Sequence, residues 1–198
     1  MSLAEHVVTT ARRLAERGLS PGGSGNLSVR VGDRLLITPT GGSFSRLQVS
    51  DLAVLTRSGE HVDGPPPSKE WPLHVALYDE RPDARAAVHL HSPHATALAC
   101  LEPDADGVQL PLLTPYQRMK LGHPLVVADY APPGSSELAE SIRVVAGVAP
   151  ALLMANHGLL TAGPDLDSAA DLAEELEAAA RVFFTVGAHA GRGVRLLS

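Results

Sequence analysis

Apolar residues recur along this chain with two different periods, and the switching between them predicts a layered domain of helices and short strands. Over residues 3–17, Leu3, Val7, Ala11 and Leu14 keep helical spacing and Gly18 supplies a stop. Ser2 and Glu5 stand at the spacing of a capping box for that helix. A loop rich in Gly, Ser and Asn (19–26) leads into strands over 27–31 and 35–38, joined as a hairpin near Gly32-Asp33, and 39–43 is a second glycine-bearing turn. A third strand is expected over 53–56. Pro65-Pro66-Pro67 is compatible with neither helix nor central strand, so the next helix is expected to use Ser68 as its N-cap and run to about Arg81, with Glu70 in its first turn.

Beyond it, 86–91 reads as a strand, and Ser92-Pro93 opens a helix towards Cys100. Residues 101–135 are proline-rich and irregular, with a helical turn near 116–121 and a strand near 125–127. A helix over 136–147 follows, then strands over 151–155 and 159–162 around Asn156-His157-Gly158, and an alanine-rich helix from 168 to about 188. Several connections are hairpin-short, so the sheet is expected to be mixed or largely antiparallel. No repeat or linker interrupts the pattern, so residues 1–198 are expected to form one domain.

Composition narrows the chemistry. A net charge of −6 argues against a nucleic-acid or anionic-membrane surface, and 4% aromatic residues leave little for base stacking. No apolar run is long enough to span a membrane and no secretory leader is evident, so a soluble, cytoplasmic protein is expected. With Cys100 the only cysteine, a metal site would have to use nitrogen and oxygen ligands.

Such ligands are present. In Val88-His89-Leu90-His91 the alternation of a strand puts both imidazoles on one face. A divalent cation about 2 Å from each nitrogen would relieve the cost of burying them, although a solvated strand face would also accommodate the pair. His157 lies in a turn beside Gly158, where it could be structural or a third ligand; His94 points elsewhere. Glu70 could be a first-turn acid complementing the helix dipole, or a fourth ligand that leaves when substrate binds. Ser68 and Lys69 at the same helix start, Ser24-Gly25-Asn26, and Thr40-Gly41-Gly42-Ser43 are small-residue turns whose amides could hold a phosphate.

In order along the chain, Gly25-Asn26-Leu27-Ser28-Val29-Arg30, Ile37-Thr38-Pro39-Thr40-Gly41, Ser68-Lys69-Glu70, Val88-His89-Leu90-His91-Ser92 and Asn156-His157-Gly158 resemble the class II aldolase family. That family includes fuculose- and rhamnulose-phosphate aldolases, ribulose-phosphate 4-epimerase, related decarboxylases and dehydratases, and non-enzymatic adducin-type modules. Leu113-Thr114-Pro115-Tyr116 and Met119-Lys120-Leu121-Gly122 are most similar to the subgroup that decarboxylates 3-oxo-tetronate 4-phosphate, and the short segment after the last helix differs from the C-terminal tail of the aldolases.

The resemblance implies a single α/β domain with a mostly antiparallel central sheet between helices, an α/β/α sandwich. It implies one divalent metal per chain on His89, His91, His157 and Glu70, with zinc foremost and cobalt, manganese or magnesium as alternatives. Glu70 would be the catalytic carboxylate; read from the residues themselves, an apolar or anionic setting would raise its pKa, and Tyr116 is either a second acid reaching a neighbouring subunit's site or a packing residue of its loop. Gly25, Asn26, Thr40, Gly41, Ser68 and Lys69 would bind the phosphorylated substrate, in a homotetramer with sites at subunit interfaces. Decarboxylation and retro-aldol cleavage both pass through the enediolate of dihydroxyacetone phosphate, so one site serves either reaction.

Overall fold

The computed structural model describes residues 1–104, 109–188 and 193–197; residues 105–108 of the irregular segment lie outside them. Helix α1 (Leu3–Glu16) starts with the expected capping box, Ser2 and Glu5 satisfying each other's backbone amides, and buries Val7, Ala11 and Leu14. Strands β1 (Asn26–Val31), β2 (Arg34–Ile37) and β3 (Ala53–Thr56) follow the expected meander, and two single 3₁₀ turns lie between β2 and β3. An edge strand absent from the sequence reading, β4 (His61–Asp63), pairs with β3 through a register shift. All three of its residues are exposed, so no burial pattern marks it.

Helix α2 (Trp71–Glu80) begins two residues later than expected. Glu70, not Ser68, occupies the N-cap, and its side chain leaves its own helix uncapped. Central strand β5 (Ala86–Leu90) is buried along its whole length. Helix α3 (Pro93–Ala99) starts at Ser92 as the sequence indicates, yet the Ser92 hydroxyl does not cap it. Glu177 does so from the far end of the chain, accepting from the His94 and Ala95 amides and from the His94 ring.

The remaining elements are α4 (Pro115–Leu121), β6 (Val126–Ala128), α5 (Ser136–Ala146), β7 (Ala151–Met154), β8 (Gly158–Gly163) and α6 (Leu166–Gly187). The last helix starts at the Asp165 cap, ahead of the expected position. Eight strands form one sheet in the order β4-β3-β2-β1-β5-β8-β7-β6, antiparallel throughout except for the β6/β7 pair.

The sheet has a core on each face, which makes the three layers. Leu27, Val88, Leu90 and Leu159 pack against α1, α3 and α6. Ile37, Ala87 and Leu160, offset by one in the strand alternation, pack against α2 and α5. Asn26, Ser28 and His89 take their places in this second set, so polar side chains enter the α2 face at the middle of the sheet.

Candidate metal centre

Three chain segments meet at one end of β5. β1 pairs with it so that Asn26 lies opposite His89, and β8 pairs on its other side with Leu160 opposite His89. The β7/β8 hairpin turns through Asn156, whose positive φ of 55° permits a tight reversal and sets His157 beside the end of β5. Two glycines permit the approach. A Cβ on Gly158 would stand 2.4 Å from the Leu90 carbonyl oxygen, and one on Gly25 would stand 2.8 Å from that of His89. Because Glu70 holds the N-cap and not a place inside the helix, its carboxylate is free to face the sheet.

The result is a cluster in which one ligand atom from each of Glu70, His89, His91 and His157 lies within 4.8 Å of all the others. His89 Nδ1 donates to the Leu159 carbonyl at 2.8 Å, which leaves the Nε2 lone pair directed at the centre. His91 Nε2 is 2.9 Å from it, Glu70 Oε2 3.3 Å, and His157 Nε2 stands 3.1 Å from Glu70 Oε1. That last pair is close without the alignment of a hydrogen bond: Glu70 Oε1 and both His157 nitrogens are buried and lack a hydrogen-bonding partner. Converging imidazole lone pairs beside a carboxylate, with buried polar atoms unsatisfied, are the donor set of a divalent cation.

The electrostatics agree, with one correction. Burial pushes the Glu70 carboxyl upward, but the imidazoles of His157 and His89 outweigh it and hold the group well below the usual carboxylate range. The expected upward shift is therefore reversed. Glu70 is an anion at neutral pH, and a cation at this point would push it further in the same direction. Burial, with the neighbouring imidazoles, depresses His91 to about 4, so it is neutral and able to coordinate.

Next to the cluster is a cavity of about 240 Å³, lined by all six residues assigned to substrate: Gly25, Asn26, Thr40, Gly41, Ser68 and Lys69. Glu70 and His91 of the cluster also line it, and Pro133 contributes from the β6–α5 loop. The Asn26 amide is already engaged, donating from Nδ2 to Glu70 Oε2 at 2.8 Å and presenting Oδ1 to His74. A larger depression of about 590 Å³ between α1, α4 and α6 holds Tyr116 and Lys120 and none of the four clustered groups. Donor chemistry, not size, identifies the site. Tyr116, 62% exposed on α4, is thus apart from the cluster within one chain.

Sequence reasoning overlooked His74 and Tyr78. The signal was available: Glu70, His74 and Tyr78 recur every four residues, and Asn26 and Ser28 alternate with the apolar Leu27 and Val29.

The sandwich, the crossed glycine contacts and the His₃Glu cluster together define a class of metal-dependent sugar-phosphate enzymes, and this chain belongs to the class II aldolase and adducin family. The profile of the class II aldolase and adducin N-terminal domain matches residues 5–184. Among its relatives, 3-oxo-tetronate 4-phosphate decarboxylase of Haemophilus influenzae is 44% identical over 195 residues, covering 98% of this chain and 91% of that protein. L-fuculose phosphate aldolase of Escherichia coli K12 is 34% identical over 183 residues, covering 92% and 83%. The crystal structure of YgbL from Klebsiella pneumoniae superposes with a TM-score of 0.92 at 38% identity, covering 99% of this chain and 93% of that one.

Proposed function

We propose that this chain is a divalent-metal-dependent lyase that converts a 3-oxo-tetronate 4-phosphate into carbon dioxide and dihydroxyacetone phosphate. The observation that carries the reading is the convergence of Glu70, His89, His91 and His157 on one point, beside a small-residue cavity that Glu70 and His91 help to line. Greater identity to the decarboxylases than to the aldolases supports the choice of bond.

The three histidines and Glu70 would hold the cation, which supplies Lewis acidity for the substrate ketone. Zinc suits three imidazoles best. The amides around Gly25, Gly41 and Ser68 surround the phosphate, and the exposed Lys69 ammonium offers a counter-charge to the substrate carboxylate. As the C–C bond breaks, its electron pair stays on the substrate as an enediolate while carbon dioxide departs. Glu70, ionised at rest, takes up a proton from solvent once substrate displaces its carboxylate from the histidines, and delivers that proton to the carbon that lost the carboxylate. Tyr116, exposed and distant from its own cluster, is assigned to the site of a neighbouring copy in a homotetramer. The setting of this chemistry is the cytoplasm.

The deciding experiment is a panel of the keto-acid phosphate with fuculose, rhamnulose and ribulose phosphates, following carbon dioxide directly and dihydroxyacetone phosphate with a coupled reductase. The expected kcat/KM for the keto-acid exceeds the others by at least ~10-fold, about 1.4 kcal/mol in transition-state binding. Cleavage of a ketose phosphate with no turnover of the keto-acid would replace this reading with the aldolase.

A further inference from the structure

A chain of polar groups leads from Glu70 into the core. Glu70, His74 and Tyr78 stack every fourth residue on one face of α2, and Asn26 and Ser28 face them from alternate positions of β1. Asn26 Nδ2 donates to Glu70 Oε2 at 2.8 Å, and His74 Nε2 is 2.5 Å from Asn26 Oδ1. Ser28 Oγ is 2.7 Å from His74 Nδ1 and 2.9 Å from the Tyr78 hydroxyl, which also reaches the Ser28 carbonyl at 3.1 Å. Ser28 and His74 are wholly buried and Tyr78 nearly so.

Donor and acceptor rules fix the protons. A carboxylate only accepts, so the Asn26 NH₂ faces Glu70 and its oxygen faces His74. That oxygen needs a donor, which places the His74 proton on Nε2. Nδ1 is then bare and accepts from the Ser28 hydroxyl, while the Tyr78 hydroxyl donates to the Ser28 carbonyl and lies beside the Ser28 hydroxyl. From Ser28 through His74 and Asn26, each proton points towards Glu70. Burial depresses His74 to about 3, so the ring stays neutral, as this hydrogen-bond pattern requires. A core with no task at Glu70 could fill the same space with apolar side chains at less desolvation cost.

We infer that His74 is a positioning residue for the reaction proposed above, anchoring Glu70 Oε2 through the Asn26 amide and leaving Oε1, which has no hydrogen-bonding partner, as the oxygen that carries the proton. Without His74 the amide is free to rotate and can turn its oxygen onto the carboxylate. Glu70 would then lose its direction towards the histidines while every ligand is still present.

The test uses the metal-loaded full chain with H74L, H74Q, N26A and the H74L/N26A double variant. The glutamine amide can place a donor near the position of Nε2, and leucine cannot. H74L and N26A are each expected to lower kcat and to weaken zinc binding, measured by chelator competition, by about 10–100-fold. KM should change less. The double variant is expected within about 3-fold of N26A alone, because His74 acts only through that amide, and H74Q should recover most of the loss. The ¹⁵N shifts of the His74 ring in the metal-free wild type should report the Nε2–H tautomer, a readout that survives even if H74L does not fold. Multiplicative losses in the double variant, or an Nδ1–H tautomer, would overturn the inference. A wild-type chain that binds no divalent ion would sink the proposed function first, whereas multiplicative losses with metal binding intact would remove the positioning role of His74 alone.

Discussion

Gly158 offers the most direct check on how the metal centre is assembled. Its φ is an ordinary one, so alanine meets no backbone penalty there; the added Cβ would instead stand 2.4 Å from the Leu90 carbonyl oxygen and 3.3 Å from the His91 ring. Real Cβ contacts essentially never fall below 3.0 Å, so the hairpin and the end of β5 must separate by at least about 0.6 Å, the difference between those two distances. Metal–ligand distances tolerate only about 0.2 Å. The separation falls between Leu90 and Gly158, each adjacent to a ligand, so it moves His157 away from His91. We expect G158A to fold with a cost of about 1–3 kcal/mol, typical of overpacking, and a melting temperature roughly 2–12 °C lower. Zinc affinity, measured by chelator competition on metal-free protein, should fall by about 10–100-fold. G147A is the control, because Gly147 has nothing within 4 Å of an added Cβ. If G158A binds zinc as tightly as wild type, the close approach of the hairpin is not what places His157, and the account of how the cluster is built fails.

Other outcomes follow from the same geometry. E70Q should melt within a few degrees of wild type, since Glu70 does not cap its helix, yet lose about 10²-fold or more in kcat; near-full activity would assign the proton to another group. An H89A/H91A double variant should retain no bound divalent metal by elemental analysis, and wild-type metal content would rule out the site. Metal-free protein should lose stability as pH falls below about 6.5: His74 is held near 3 and His91 near 4 in the folded chain, so the unfolded chain binds protons first. The depressed Glu70 acts in the same direction at still lower pH. Urea midpoints at pH 7.5 and 4.5 measure this, and a midpoint that rises towards acid contradicts the assigned neutral imidazoles. Y116F should leave the melting temperature unchanged while lowering kcat, and a variant with wild-type kcat would confine Tyr116 to the surface.

The parts of this fold that could be read from the sequence are those in which a single physical signal settles the structure. Helix α1 has a capping box, an apolar stripe and a glycine stop, and it lies almost where those place it. The paired histidines of β5 needed only the two-residue period of a strand. Edge strand β4 escaped because an exposed three-residue strand buries nothing that could pattern it. The start of α2 was misplaced because Ser68 is a good cap by composition, whereas the cluster holds Glu70 at that position; local preference lost to a tertiary demand.

The same competition explains the carboxyl group. Read along the sequence, Glu70 is one acid before an apolar helix, where burial would raise its pKa. In the folded chain two imidazoles from distant parts of the sequence, His89 on β5 and His157 in the β7/β8 turn, reverse that shift, and a third residue, Asn26, donates to the same carboxylate. None of those contacts has a local signature, because each depends on register: Asn26 opposite His89, and Leu160 opposite His89 on the other side. A slip of one residue in either pairing would turn Asn26 into the α1 face or carry His157 away from the end of β5, with every motif intact and no site formed. The cluster therefore depends for its geometry as much on the glycines that let the strands close at Gly25 and Gly158 as on the histidines themselves.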